Sequence, residues 1–260
     1  GVESMTRVPM NGFNPMPHPK LNEDNPNVYL SMGTTAENVA KKYQLTRLDQ
    51  QEFAINSHRK AFEAEKNGKF KKEITSINGC VKDGGIRPNT SQEILDGLKL
   101  AFDQNGTITA GTSSPLTDGA AATLICEEEY AVKNNLDILA KIKSIAVEGC
   151  APEVMGLGPI GASTKALKRA GLSIKDIDII ELNEAFASQS LACIKDLGID
   201  KDKVNLDGGA LALGHPLGAT GARITGKAAD LLKRENKKYA LSTQCIGLGM
   251  GIATVIESVN

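Results

Sequence analysis

The feature that most narrows what this chain can fold into is a regular alternation that begins near Lys141 and runs to the end. Short apolar runs trade places with helical spacings, and glycine stands at many of the exchanges. Residues 141–147 read as a strand, 161–170 as a helix stopped by Gly171, and 177–182 as a strand apolar enough to be buried. A helix over 184–197 ends at Gly198, a short strand follows over 204–206, and a helix spans 218–235. Strands over 239–245 and 251–256 close the chain. Strands alternating with helices of this length predict an α/β domain, a sheet covered by helices.

The upstream part reads differently. Thr34 with Glu37 three residues on has the pattern of a capping box, and Thr46 with Asp49 repeats it. Two helices are therefore expected, the second stopping at Gly68. Leu48, Phe53, Ile55 and Phe62 lie at roughly helical spacing among many charges, so this pair is expected to be mostly solvated. Residues 70–115 are expected to mix short strands with loops, carrying D-G-G-I-R-P at 83–88 and T-A-G-T-S-S-P at 109–115. Loops of this kind carry ligands more often than cores do. A domain boundary falls near 138–141, where the regular alternation takes over.

Charge points to neither of two classes of partner. Thirty Lys and Arg against 31 Asp and Glu leave a net charge of −1, with no basic excess to hold nucleic acid or anionic lipid. The longest charge-free stretch, 240–256, is broken by Ser242, Thr243, Gln244 and glycines and is too short to span a bilayer. Five widely spaced cysteines without a C-x-x-C pair offer neither a zinc clamp nor a dithiol, and read as reduced thiols in a cytosol-like compartment. The opening G-V-E-S-M lacks both an initiator Met and a signal pattern, so the chain is expected to begin inside something larger.

Three junctions could carry chemistry. His215 sits in G-G-A-L-A-L-G-H-P-L-G-A-T-G-A-R, between a predicted strand and a helix, where glycines admit close backbone approach. It is either a base at a ligand or a hydrogen-bonded turn residue. Cys245 closes a strand and enters C-I-G-L-G-M-G; it is either a proton donor and acceptor or buried packing. Asn183, in N-E-A-F-A, could hold a water or a carbonyl oxygen, or cap the helix expected from Glu184. His18 and His58 read as ordinary surface residues. Strand-to-helix and strand-to-turn junctions from one alternating domain can meet at one rim of its sheet. An imidazole, a thiol and a neutral amide, without a metal cluster or carboxylate pair, suit proton transfer beside a carbonyl together with an oxyanion site.

N-E-A-F-A, the His215 motif and C-I-G-L-G-M-G, in that order and spacing, resemble the three C-terminal signatures of the thiolases. The likeness extends through G-V-E-S-M, M-G-T-T-A-E-N-V-A, T-A-G-T-S-S-P-L-T-D-G-A-A-A and V-M-G-L-G-P. The T-A-G-T-S-S form and Leu248 resemble the degradative, β-oxidation type more than the biosynthetic one. The resemblance implies an αβαβα layered sandwich whose N-terminal half-sheet is largely missing from this chain. Residues 1–5 would end the N-terminal domain, 6–116 form the CoA-binding loop domain, 117–138 be a remnant of the N-terminal domain, and 139–260 form the C-terminal domain.

The resemblance further implies acetyl-CoA C-acyltransferase activity: thiolysis of a 3-ketoacyl-CoA, or the reverse Claisen condensation, through an acyl-cysteine whose cysteine precedes G-V-E-S-M. On that ground the 260 residues alone are expected to be inactive. His215 would activate the nucleophile and, with water on Asn183, form an oxyanion site. Cys245 would be the acid/base, and the amide of Gly247 would serve a second oxyanion. Arg87 would meet the CoA diphosphate and Ser114 the pantetheine, with Ala110 alongside. Met155 and Phe186 would wall the acyl and pantetheine channel. No permanently bound cofactor is implied; CoA and acyl-CoA are the ligands. The resemblance implies a homodimer or homotetramer, possible assembly with other β-oxidation enzymes, and a bacterial cytoplasm or organelle matrix rather than secretion. A condensing synthase of the same fold is disfavoured, because those enzymes carry a second His where Cys245 stands. A non-catalytic acyl-CoA-binding or assembly fragment is the remaining alternative.

Overall fold

The computed structural model describes residues 1–10 and 12–259. The upstream half is mainly helical: α1 (Pro19–Asp24), α2 (Met32–Tyr43), α3 (Arg47–Lys66) and α4 (Gln92–Asp96). A short strand β1 (Val2–Ser4) pairs antiparallel with β2 (Asp118–Ala120), and α5 (Glu128–Lys133) follows. The downstream half holds β3 (Lys141–Gly149), α6 (Gly158–Ala170), β4 (Ile179–Leu182), α7 (Ala187–Leu197), α8 (Ala210–Leu213), α9 (Leu217–Arg234), β5 (Tyr239–Ile246) and β6 (Met250–Glu257).

The downstream sheet has the order β3-β6-β5-β4, with β4 and β5 parallel and the other pairs antiparallel. Its faces follow the period-two alternation of strands. Ile180, Leu182, Leu241, Ala253 and Val255 pack toward α6 and α7 with Ala162, Ala166, Leu167 and Ile194. Ile179, Ala240 and Ile256 pack toward α9 with Ala228, Leu231 and Leu232. Both faces are covered, which is why β4 is buried at every residue and why its sequence shows an unbroken apolar run apart from Glu181. Each fully buried Ile or Leu contributes about 1.5–3 kcal/mol by leaving water.

Several elements depart from expectation, each for a local reason. The cap of α2 is Ser31, whose hydroxyl accepts from the Thr34 amide, so the helix starts two residues before Thr34. Glu37 turns away to accept from the amides of Thr107 and Ile108. Thr46 and Asp49 form the expected capping box of α3. Helix α6 begins at Gly158 with Pro159 in its first turn, and α7 begins at Ala187 because the segment before it runs extended. Among the described residues, 70–115 contain no strand, only isolated bridges such as Leu100 to Thr109. Residue Val204 makes one bridge to Ile180 rather than a strand.

The largest departure is α3. Its buried face is Gln50, Ala54, Ser57, His58, Ala61 and Ala64, small or polar residues at helical spacing, while Leu48 is exposed. These residues let α3 approach α7 and α8 closely, so the pair α2–α3 is a packed layer rather than a solvated one. His58 is consequently a core residue and not a surface one: it is buried, and its Nδ1 accepts from the Arg87 amide at 3.2 Å. Burial, then the charge of Arg87, lowers its pKa from 6.5 to about 4.

That shift has a sign. The unfolded chain takes up a proton at His58 as pH falls through 6.5, whereas the folded chain resists until about 4. Stability is therefore lost on acidification across this window. Urea unfolding of the intact protein at a series of pH values should show a shallower loss between those limits for His58→Gln than for wild type. Identical slopes would show that His58 is not buried as a neutral ring.

Candidate active site

Asn183 is the first residue past β4, and its amide donates to the Thr243 carbonyl at 2.9 Å, extending the parallel pairing by one residue. It does not cap a helix, because Phe186 occupies the cap position of α7. Its side chain is 1% exposed, yet neither the carboxamide oxygen nor its nitrogen has a protein partner. An unsatisfied buried polar group costs about 1–3 kcal/mol, so an amide in this state is suited to complete its bonds with water or a ligand.

Cys245 lies beside it in the sheet, on β5 two residues past Thr243, and pairs with Gly251 of β6. It packs with Ala36, Ile108, Met155, Ala185 and Phe186. Burial pushes its thiol up to about 12, so at neutral pH it is protonated, the form that can donate. The β5–β6 turn that follows holds Leu248 at φ 71°, left-handed backbone that costs a non-glycine residue about 1–2 kcal/mol. Leu248 projects outward, 63% exposed, while Gly247 is half-buried.

His215 is fixed by two threonines. Its amide donates to Thr117 Oγ1 at 3.2 Å, and its Nδ1 lies 2.7 Å from Thr220 Oγ1. The Thr220 hydroxyl gives its one hydrogen to the Pro216 carbonyl at 3.0 Å, so Nδ1 must be the donor and Nε2 carries the free lone pair. Burial, with Arg223 adding to it, lowers the pKa to about 4, keeping the ring neutral. The turn is tied to the Asn183 segment, since the Leu211 amide donates to Glu184 at 3.1 Å. Helix α9, which follows the turn, approaches β5, because a Cβ at Gly221 would stand 3.6 Å from Gln244 Nε2.

The remaining residues divide. Met155 and Phe186 share the cluster around Cys245, and Phe102 meets Phe186 edge-on at 5.9 Å. Ser114 is half-buried and bound through its amide to the Ala185 carbonyl at 3.0 Å, which brings it to the Asn183 loop. Ala110 is exposed at the start of a short 3-10 turn. Arg87 is exposed and forms no ion pair among the described residues; its backbone, not its guanidinium, meets His58. Sequence reasoning missed His58, Ser57 and Thr117, and the signal available for the first two was the small-residue spacing of α3. Among the described residues, no group of three His, Cys, Asp or Glu side chains could hold a metal ion, and no helix is long and apolar enough to cross a membrane.

Comparison with known proteins decides the family. Residues 1–129 match the thiolase N-terminal domain and residues 136–258 the thiolase C-terminal domain. The chain belongs to the thiolase family. It is 47% identical to a 3-ketoacyl-CoA thiolase of Bacillus subtilis, with 99% of this chain and 70% of that protein covered. Identity is 51% with a 3-ketoacyl-CoA thiolase of Idiomarina loihiensis, covering 100% and 70%. The crystal structure of human mitochondrial 3-ketoacyl-CoA thiolase superposes with a TM-score of 0.88 at 39% identity, covering 100% of this chain and 71% of that one. The fold is that of the thiolases. The candidate residues fall in both matched regions, Ser114 and Thr117 in the first and Asn183, His215 and Cys245 in the second.

Replacing Thr220 with Val removes the acceptor that holds the Nδ1–H form of His215. Nitrogen-15 NMR of the neutral rings should show His215 protonated at Nδ1 in wild type and shifted toward the Nε2–H form in Thr220→Val. An unchanged tautomer would mean that another contact sets it.

Proposed function

We propose that this chain carries most of the active site of a degradative 3-ketoacyl-CoA thiolase, which uses CoA to cleave a 3-ketoacyl-CoA into acetyl-CoA and a shortened acyl-CoA. The observation that carries the reading is the unpaired, buried amide of Asn183 at the same end of the parallel β4–β5 pair as the neutral thiol of Cys245. In the first step a cysteine thiolate, generated by proton transfer to His215 Nε2, adds to the 3-keto carbonyl. The bond between C2 and C3 then breaks, and its electron pair forms the acetyl-CoA enolate. Protonated His215 and a water on Asn183 stabilise the enolate oxygen, and the Cys245 thiol protonates the carbon. In the second step Cys245 thiolate takes the proton of CoA, whose sulfur attacks the acyl-cysteine, with the Gly247 amide at the developing oxyanion; the carbon–sulfur bond to the enzyme cysteine then breaks, releasing acyl-CoA and returning that cysteine as the thiolate beside protonated His215.

The acylated cysteine is outside these 260 residues. Cys80 and Cys126 are exposed, Cys193 is fully buried with its pKa driven up by that burial, and Cys150 is held half-buried with its thiol also raised by burial. Cys245 is needed as the acid/base. The chain covers 70% of the length of the Bacillus subtilis relative. Arg87 with its free guanidinium would take the CoA diphosphate, and Ser114, Ala110, Met155 and Phe186 would line the path of pantetheine and acyl chain. The division proposed is at 138/139, a few residues past the 130–135 gap between the two family matches, with 6–116 as the loop domain and 117–138 belonging with residues 1–5, a grouping that the pairing of β1 with β2 supports. A dimer or tetramer is the assembly proposed.

Cys245→Ala in the intact protein should still let an acyl-CoA acylate the nucleophilic cysteine, more slowly than wild type, and should lower release of tritium from C2-labelled acetyl-CoA by about a hundredfold or more, the scale on which a positioned acid/base acts. Exchange that persists at the wild-type rate would make Cys245 packing only. CoA binding without any turnover by wild type would favour a non-catalytic acyl-CoA-binding protein.

A further inference from the structure

The residue after Asn183 is a carboxylate for which the reaction above has no use. Glu184 is 2% exposed and forms no ion pair among the described residues. Ser57 Oγ donates to its Oε2 at 2.6 Å, the Leu211 amide donates to the same oxygen at 3.1 Å, and Asn205 Nδ2 donates to Oε1 at 2.7 Å. Burial raises its pKa, but three donors and no acceptor face it, an arrangement that suits the carboxylate form. Ser57 Oγ in turn accepts from the Gly209 amide at 3.1 Å. The fit leaves no slack, since a Cβ at Gly209 would lie 2.1–2.4 Å from the carboxylate atoms.

These bonds run to both catalytic turns. Asn205 accepts from the Leu182 amide at 2.9 Å and donates to the Leu182 carbonyl at 2.8 Å while also holding Glu184, so one side chain clamps the residues on either side of Asn183. Gly209 and Leu211 open the short helix that ends at Gly214, one residue before His215. Ser57 belongs to α3, an element otherwise remote in sequence. A buried charge without a counter-ion is a poor way to gain stability, and its desolvation costs several kcal/mol unless hydrogen bonds offset it. What the carboxylate does accomplish is to join three separate segments through a single planar group.

We propose that Glu184 and Ser57 are positioning residues that set the separation between the Asn183 amide and His215 Nε2, so that a water on the one and the imidazole on the other meet the same enolate oxygen. This inference rests on the proposed thiolase reading. Neither residue touches substrate; both act through the turns they hold. Gln at 184 would place an amide N–H₂ against one of the three donors, so charge and acceptor geometry are lost together. Ala at 57 removes one bond to each of Glu184 and Gly209 and leaves the rest.

The test is steady-state thiolysis of acetoacetyl-CoA by the intact protein, with kcat expressed per folded molecule and thermal unfolding measured alongside. Ser57→Ala should lower kcat by about tenfold or more, the scale of one charge-assisted hydrogen bond, while the KM for CoA stays within about twofold. Glu184→Gln should show the same split with a larger loss of kcat. If Glu184→Gln fails to fold, Ser57→Ala decides. A merely structural role would lower the unfolding temperature and the yield but leave kcat per folded molecule within about twofold of wild type, and that result overturns the proposal. An active wild type with intact kcat in the variants would refute only this inference, whereas a wild type without thiolysis would remove the reading beneath it.

Discussion

The parallel pairing of β4 with β5 is the constraint on which the rest of the site depends. Register aligns Leu182 with Thr243, so the chain leaves both strands at the same edge, with Asn183 on one and Cys245 two residues past Thr243 on the other. Parallel strands require a crossover, and here α7, α8 and α9 fill it. The crossover carries His215 on its last turn before α9. An antiparallel partner would have sent one of the two residues to the opposite edge of the sheet.

A second set of contacts holds the crossover at its base. Asp207, immediately before Gly208 and Gly209, is fully buried and accepts from Arg234 at 2.6 and 3.0 Å, from Lys227, and from Lys69 at 3.3 Å. Burial alone would raise its pKa, but the hydrogen bonds from Arg234 and Lys227 overcome it and hold the group at about 2. Lys69 follows α3, so the upstream region is bound to the crossover by this network as well as by Ser57. Buried ion pairs add little net stability, but they fix orientation. Gly208 shows how tight that orientation is, with φ at +84° and a Cβ there landing 2.6 Å from Ala61.

What the sequence reveals and what it conceals follow from the same packing. The strands of the downstream sheet are legible because two covered faces demand runs such as Ile179–Leu182. His215, Asn183 and Cys245 are legible as residues of unusual chemistry at element junctions. The buried face of α3 is not legible, because Ala54, Ser57, His58 and Ala61 carry too little hydrophobic signal to mark a core. Short strands over 70–115 were a reasonable expectation from composition, but no neighbouring edge pairs with them, so only isolated bridges form. The start of α7 is displaced because the residues from Asn183 to Phe186 are bound sideways, to Thr243, Asn205 and the Ser113–Ser114 segment, instead of into a first helical turn.

The central claim is that these junctions form one acyl-transfer site. It is tested most directly by a crystal structure of the intact protein with a bound CoA thioester. The account predicts the thioester oxygen within hydrogen-bond reach of His215 Nε2 and of a water on Asn183 Nδ2, with the adjacent methyl carbon facing Cys245 Sγ. A thioester bound elsewhere, with Asn183 still unpaired and Cys245 sealed in its apolar cluster, would contradict it.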